Sequence, residues 1–298
     1  MKMKLLSLVV LPFLTLSCNT KGGKGSKGVK FKDPNINAAI NLSASKKDEL
    51  RKEIHDYQVD SKMLMNEDAS KLSPSSYYEE VNKQPVDVSY FVSFDKEEMI
   101  LKTTDNYLIE LEEGVKKEGN KYVGTGFLET LNGDEKNQDY FKRIYDFYFG
   151  DWIYSFGLID SLRNLYSSDL NISMTDVIGA EANASLSISI DDSEWYEKIV
   201  CTESDGNGNL TIGLNAPIEF TEKMKSEVVI DGSTYTMTID MQMKIDYIEG
   251  KYIDYRIDHE VVSMYCVVKM SDPLLVGENV SFGARGIQLN TYSYNTGK

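Results

Sequence analysis

Three carboxylates stand close together in the chain at Asp191, Asp192 and Glu194, directly before Trp195. Paired carboxylates at a suitable separation hydrolyse glycosidic bonds, one acting as the acid and the other as base or nucleophile. Clustered carboxylates can also bind a metal ion, and the plainer alternative is an acidic surface loop. The group raises the hypothesis of a carboxylate-dependent hydrolase of glycans, with the acidic loop as its alternative.

Two histidines, His55 and His259, are the natural candidates for acid–base chemistry near neutral pH. A Ser-His-Asp site would have to use one of them as its base. The chain contains no G-x-S-x-G, P-loop, H-E-x-x-H or C-x-x-C motif. His259 falls on the apolar side of a strand pattern, where we expect a hydrogen-bonded structural histidine. These residues indicate a protein that is not an enzyme and needs no cofactor.

A short polar segment offers oxygen ligands at alternating positions, Asp205, Asn207 and Asn209. This spacing is found at the start of a calcium-binding EF-hand loop. Leu210 stands where that loop needs its glycine, and Ala216 stands where it needs its bidentate glutamate. We therefore expect a polar hairpin turn and no metal site here.

The most specific pattern lies at the start of the chain. Lys2 and Lys4 precede an apolar run over 5–16, and Thr15-Leu16-Ser17 then leads into Cys18. A basic start, a short apolar segment and small residues before the cut are typical of an export signal. With a cysteine at the cut, this segment resembles the signal peptide of a bacterial lipoprotein.

The resemblance covers only the first 18 residues, and it implies a processing route. Residues 1–17 would be removed as the signal peptide, and the thiol of Cys18 would carry a diacylglyceryl group with palmitate-like chains. The partner of Cys18 would be the lipid bilayer, and the protein would sit in the bacterial cell envelope, facing the periplasm or the exterior. Thr15 and Ser17 also fit ordinary secretion, and an uncleaved anchor is a third alternative.

The two remaining cysteines are Cys201 and Cys266. In an oxidising compartment, two cysteines left over from lipidation are candidates for a disulfide bond. We predict that Cys201 and Cys266 pair. The alternative is two separate cysteines that act as small apolar residues.

Residues 18–34 have the composition of a flexible tether. Five lysines alternate with glycines between Lys21 and Lys32, and no acid occurs from 19 to 32. The lysines are expected either to contact anionic head groups or to keep a spacer in solution. The whole chain has 32 basic and 47 acidic residues, a net charge of −15, so the body is strongly acidic. Such a body disfavours nucleic acid, because the phosphates would repel it.

The rest of the chain, 35–298, is expected to form one acidic α+β body. A helix is predicted near 45–58, where apolar residues recur at helical spacing behind Ser45. Apolar and polar residues then alternate over 86–94, and shorter strands fit 98–103, 107–112 and 121–130. This spacing indicates an antiparallel meander.

A strongly aromatic segment over 136–166 predicts a pair of helices split at Gly150. Beyond it, alternation is unbroken over 235–247 and resumes over 253–270 with one slip of phase at 261–262. This pattern predicts two long strands, with hairpin turns at 231–232 and 249–250 and a β-bulge at 261–262. We expect a large curved antiparallel sheet or half-barrel with the helical pair packed on one face. The tail after Pro273 gives no clear pattern.

The apolar side of the long strands is rich in methionine. Flexible, polarisable methionines adapt to variable apolar partners, so these residues could line a ligand site: Met237, Met241, Met243, Tyr255 and Met264. The alternative is an ordinary core.

The sequence favours a membrane-anchored envelope lipoprotein with a non-enzymatic binding or surface-interaction role. One alternative is a carrier of an apolar ligand such as a lipid, similar in architecture to periplasmic carriers of the Lol type. The other is the hydrolase, which would then act on envelope glycans.

Overall fold

The computed structural model describes residues 31–40, 42–65, 67–103, 110–133, 135–150, 168–173, 181–190, 195–230, 232–271 and 279–297. Cys18, most of the tether and the carboxylates before Trp195 lie outside these ranges. Within them the chain forms five helices, three 3₁₀ turns and thirteen strands.

The helices are short except for the last. They are α1 (Pro34–Ile40), α2 (Ala44–Lys52), α3 (Glu67–Lys71), α4 (Tyr77–Asn82) and α5 (Glu135–Phe149), with 3₁₀ turns at Pro74–Ser76, Gly126–Leu131 and Trp195–Lys198.

The helix predicted over 45–58 is real but shorter than expected. Ser43 caps α2, because its Oγ accepts from the backbone N–H of Lys46 at 3.2 Å. The helix ends at Lys52, and a strand begins at Asp56. Tyr57 and Val59 are fully buried on one face of that strand, and this burial outweighs the local helical pattern.

The strands form one antiparallel sheet. They are β1 (Asp56–Met65), β2 (Val88–Ser93), β3 (Glu98–Thr103), β4 (Glu112–Glu118), β5 (Lys121–Thr125), β6 (Ser168–Ser173), β7 (Glu181–Ile190), β8 (Ile199–Ser204), β9 (Leu210–Leu214), β10 (Ile218–Ile230), β11 (Ser233–Ile253), β12 (Arg256–Ser271) and β13 (Asn279–Asn295).

The sheet contains two antiparallel meanders, which are joined where β1 pairs with β13. The sheet runs β5-β4-β3-β2-β1-β13-β12-β11-β10-β7-β6, and the β8–β9 hairpin extends it beside β11. The strand at the start of the body, β1, pairs with β13 near the C-terminus. The tail without a clear pattern therefore supplies a central strand.

Several predicted strands agree with the structure, and others are displaced. The prediction over 98–103 is confirmed, and β2 lies within 86–94. Half of the predicted strand 107–112 falls outside the described residues, and of the described half only Glu112 lies in a strand, β4. The strand from 121 ends at Thr125, because Gly126 has a φ of 66° and turns the chain into a 3₁₀ turn.

The helix α5 contacts both edges of the sheet. It packs against β3, β4 and β5 at one edge and against β6 at the other. A flat sheet of this width could not bring its two edges to one helix, so the sheet curves around α5. The structure is mainly an antiparallel sheet with few helices. The second helix of the predicted pair falls on residues outside the described ranges.

Two side-chain amides fasten α5 to the edge strand β5. Gln138 accepts from the N–H of Tyr122 at 3.1 Å and donates to its carbonyl at 2.8 Å. Asn132, just before the helix, makes the same pair of bonds with the backbone of Gly124. These amides occupy the backbone groups that an edge strand would otherwise expose.

Aromatic contacts hold the other end of α5 over the middle of the sheet. Tyr148 stacks on Tyr90 with ring centroids 5.5 Å apart, and its carbonyl accepts from the Tyr57 hydroxyl at 2.6 Å. Phe149 meets Phe94 edge to face. The sheet face that carries Tyr57 and Tyr90 is called the inner face below, and its opposite is the outer face.

Two β-bulges change which side chains reach the inner face. Asp246 is the extra residue in β11, and Asp258 is the extra residue in β12. Each bulge moves the following side chains to the other face, so Tyr247 lies on the outer face. The predicted bulge at 261–262 is therefore in the right strand but misplaced. The hairpin turn also lies at Asp254–Tyr255, both with positive φ, and not at 249–250.

A second, smaller apolar cluster covers part of the outer face. There α3 and α4 pack on β1 and β13. The buried members of this cluster are Ala69, Tyr77, Val81, Val261, Ile287 and Leu289. Strands β1, β12 and β13 are thus buried on both sides.

Candidate functional site

A group of partly exposed apolar side chains interrupts the buried inner face. Met264, Gly286 and Met65 are register partners across β12, β13 and β1, and Val262 and Met63 lie one row away. All five are half-buried, whereas the same strands are fully buried at Val59 and Ile257. These five residues are called the inner-face patch.

Two described elements beside the patch, β2 and α5, stop short of it. Strand β2 pairs with β1 only as far as Ser61, opposite Val88. The end of α5 lies over Tyr57, six residues or roughly 20 Å along β1 from Met63. Gly286 stands in the centre of the patch, and a Cβ there would meet Met65 at 3.8 Å, an ordinary contact. Among the described residues, a Cβ at Gly286 therefore meets no close contact.

A polar row borders the patch. Glu260, Asn290 and Ser61 are register partners on the three strands, and Glu260 is only 3% exposed. The hydroxyl of Tyr292 donates to Glu260, and burial followed by the Glu260 charge raises the pKa of Tyr292 well above its usual value. A carboxylate thus lies in the interior beside the apolar patch.

Two half-buried amides link this row to the patch: Asn290 belongs to the row, and Gln288 is the register partner of Val262 and Met63. The Nε2 of Gln288 donates to Ser61 Oγ at 3.1 Å and to Asn290 Oδ1 at 2.9 Å. These bonds fix the orientation of both side-chain amides. The Oε1 of Gln288 can then act as an acceptor, and the Nδ2 of Asn290 can act as a donor.

The residues predicted to line a ligand site differ in burial and in their place on the sheet. Met241 and Met243 are fully buried, and Met237 and Met264 pack against the same core from partly buried positions. Tyr255 lies in the hairpin turn beside Gly208, roughly 30 Å along β11 from Met243. Of the five, Met264 alone belongs to the inner-face patch.

Sequence reasoning missed the rest of the patch for identifiable reasons. Met63 and Met65 lie on β1, whose first residues belong to the segment 45–58 for which the sequence predicts a helix. Gly286 and Gln288 lie on β13, where Ile287 and Leu289 cover the outer face while Tyr292 and Tyr294 face inward. Because both faces of β13 are buried, no single apolar phase marks it as a strand.

The predicted disulfide is absent from the structure, in which Cys201 and Cys266 are free cysteines. Cys201 lies on β8 and Cys266 on β12, and β9 and β11 lie between them. Three strand spacings amount to about 14 Å, more than a disulfide spans between Cα atoms. Cys201 Sγ donates to the Glu203 carbonyl at 3.0 Å, and Cys266 is buried in the core.

The other chemical candidates have structural roles where the structure describes them. Trp195, next to the predicted carboxylate group, is 2% exposed and meets Phe31 edge to face, so it offers no surface to a sugar. Asp205 accepts from the backbone N–H groups of Asn207 and Asn209 within its own turn, and these bonds lower the pKa of Asp205. The polar hairpin turn between β8 and β9 is confirmed.

His259 is a hydrogen-bonded histidine, as expected, but the β12 bulge places it on the outer face. Its ring lies 4.6 Å from the ring of Tyr78 on α4. Its Nδ1 lies 2.8 Å from Asp258 Oδ2, and its Nε2 lies 3.6 Å from Glu249 Oε1. Glu249 also accepts from the Tyr247 hydroxyl at 2.7 Å. The cluster attaches α4 to the sheet.

The carboxylates of Glu249 and Asp258 set the direction in which the pKa of His259 is shifted. Burial alone lowers the pKa of His259, but the hydrogen bonds and charges of Glu249 and Asp258 outweigh it, so the pKa of His259 is raised. The same contact lowers the pKa of Glu249. A raised histidine pKa adds stability that is complete below the pKa of the unfolded chain and is lost as pH rises through the folded value.

We predict that His259→Gln destabilises the fold more at pH 5.5 than at pH 9, by on the order of 1 kcal/mol, because only the charged ring makes charge-assisted bonds. Urea unfolding at the two pH values measures the difference. In a Glu249→Gln, Asp258→Asn background the replacement should cost the same at both. An equal cost at both pH values in the otherwise unchanged protein would contradict this assignment.

Comparisons with known proteins give no information about the site. The chain matches no protein family, no curated protein and no solved structure. None of the helices in the described part of the chain is long and apolar enough to cross a bilayer. Among the described residues, no three His, Cys, Asp or Glu side chains are grouped so that they could hold a metal ion. The inner-face patch and its polar border are therefore interpreted from their own chemistry.

Proposed function

We propose that this protein is a lipid-anchored component of the bacterial cell envelope that binds an apolar ligand without catalysis. Cys18 carries the anchor, and the inner-face patch takes the ligand. We also propose that the body is α+β, with a second helix after Gly150 that packs beside α5 on the inner face.

The anchoring part of the proposal rests on the start of the chain. The basic start, apolar run and Cys18 resemble a lipoprotein signal peptide. Phe31 is buried against Trp195, and Asp33 accepts from the N–H of Cys201 at 3.0 Å, so these two residues of the predicted tether pack on the body. Twelve residues, 19–30, separate Cys18 from Phe31, and a flexible chain of that length has a root-mean-square reach of about 20 Å.

The ligand part rests on one observation, the group of half-buried apolar residues that forms the inner-face patch. Apolar side chains left accessible within a concavity gain free energy when a ligand removes them from water, about 25 cal/mol per Å². Methionine supplies three of the five patch residues, and its flexible side chain adjusts to the shape of an acyl chain. Tethering such a site near a bilayer would keep it close to a source of lipid.

We predict that a clickable palmitate analogue labels the wild-type protein in its native host and that Cys18→Ser abolishes the labelling. Cys201→Ser is the matched control, and it should be labelled like the wild type. Mass spectrometry of the mature N-terminal peptide should show an acylated Cys18 as the first residue. Labelling of the Cys18→Ser protein, or a mature chain that begins at Met1, would contradict the anchor.

We predict that the full chain carrying Cys18→Ser binds the methyl ester of a pyrene-labelled fatty acid, an uncharged apolar probe. Met264→Glu should weaken binding at least tenfold, which is about 1.4 kcal/mol, because it places a charge in the patch. Tyr265→Glu is the matched control, since this neighbouring side chain is 42% exposed on the outer face. Fluorescence titration measures both affinities.

A second variant separates loss of the site from loss of the fold. Gly286→Leu adds apolar volume to the centre of the patch, and it should block the probe while thermal unfolding stays close to that of the wild type. Undiminished binding by both patch variants, or no binding of the probe by the unsubstituted patch, would overturn the ligand proposal.

A further inference from the structure

The outer face of the sheet is open to solvent over part of β11, β12 and β13. The helices on this face, α3 and α4, pack on β1 and β13 around Ile287 and Leu289. Farther along the same sheet, exposed residues that point outward occupy adjoining positions on three neighbouring strands: Gln242, Lys244, Tyr265, Lys269, Ser281 and Gly283. This area is called the open outer face.

Tyr265 presents an aromatic surface in the open outer face. Gly283 lies diagonally across from it on β13, and a Cβ at Gly283 would be 2.6 Å from the Tyr265 hydroxyl oxygen and 3.3 Å from its Cζ. The far end of the ring thus occupies the space that a side chain on Gly283 would need. The ring lies along the surface of the sheet, and the residue is 42% exposed. The glycine allows the ring to lie in this position, because a larger residue would displace it.

Polar side chains flank this ring on both sides. Lys244 on β11 and Arg285 on β13 are its register partners. Arg285 contacts Asp246 Oδ2 at 2.7 Å and donates to Ser263 Oγ at 3.4 Å, so other N–H groups of its guanidinium can bond a ligand. Lys244 pairs with Glu219 at 3.7 Å. Each cation beside the ring is matched by a carboxylate, so the surroundings of the ring are close to neutral.

These groups match the chemistry of a sugar. The face of an aromatic ring is partly negative, and it attracts the C–H groups on the face of a hexose. The hydroxyls at the edge of a hexose both donate and accept hydrogen bonds. They can therefore bond Arg285 and the amide of Gln242, which lies diagonally across from Tyr265 on β11.

Two other kinds of partner fit this face less well. Lys, Glu and Asp are depleted at the centre of protein–protein interfaces, whereas exposed Lys244, Lys269 and Asp240 surround the ring here. An anionic polymer would be repelled by the net charge of −15. An uncharged chain of hexoses avoids both costs.

We propose that the open outer face binds an uncharged glycan, with one hexose ring on Tyr265 and its hydroxyls bonded by Arg285 and Gln242. The site lies on the opposite face of the sheet from the inner-face patch, since Tyr265 points outward and its neighbour Met264 points inward. It is therefore independent of the apolar ligand proposed above.

Isothermal titration calorimetry of the full chain carrying Cys18→Ser, with cellotetraose and chitotetraose as uncharged glycans, tests the proposal. At least one should bind, and Tyr265→Ala should weaken that binding by about tenfold, because the stacking surface is lost. Tyr265→Phe keeps the ring and should bind like the unsubstituted chain. Ile253→Ala is the matched control, since Ile253 is 44% exposed but lies at the far end of β11. Binding of neither sugar, or equal binding by Tyr265→Ala, would overturn the proposal.

Gly283→Ala tests the position of the ring without changing Tyr265. The added Cβ should displace the ring and weaken glycan binding several-fold, while thermal unfolding stays close to that of the wild type, because alanine is tolerated in a strand at least as well as glycine. Full binding by Gly283→Ala would contradict the stacking geometry. Self-association that Tyr265→Ala abolishes, seen by analytical ultracentrifugation without any binding of sugar, would assign this face to a protein contact instead.

Discussion

An antiparallel sheet of thirteen strands must bury one face, and here a single helix contacts both edges of that sheet. The helix α5 reaches β5 through Gln138 and contacts β6 on the opposite edge. The curvature of the sheet, the burial of Tyr57 and Tyr90, and the separation of an inner from an outer face all depend on this contact. The inner-face patch lies along β1 beyond the point where the end of α5 contacts Tyr57.

The two bulges determine which side chains of β11 and β12 lie on each face of the sheet. Without Asp246 and Asp258, the apolar side of β11 and β12 would remain on one face from end to end. With the bulges, Tyr247, Val261 and His259 near the β11–β12 hairpin turn lie on the outer face, where α3 and α4 pack. The methionines farther from the turn lie on the inner face. The central strands are therefore held from both sides, and the half-buried patch is supported by a rigid backbone.

Local pattern predicted much of the sheet and little of the site. Alternation identified β3 and the long strand β11 because one face of each is apolar. It failed for β1 and β13, whose pairing joins Asp56 to Asn295 across 239 positions of the chain. The patch and its polar border arise from that pairing, so no segment alone contains their signal. The cysteine count likewise suggested a disulfide that strand order excludes, because only the sheet topology shows how far apart β8 and β12 lie.

Residue-resolved hydrogen exchange of the native protein tests most directly whether α5 closes the inner face. Opening α5 would expose the core beneath it, so its interior amides, such as those of Tyr145 and Tyr148, should exchange as slowly as those of Val59 and Met243 on the central strands. Exchange of the α5 amides orders of magnitude faster than that of the strands would contradict the account, because the sheet would then keep its fold without the helix across its edges.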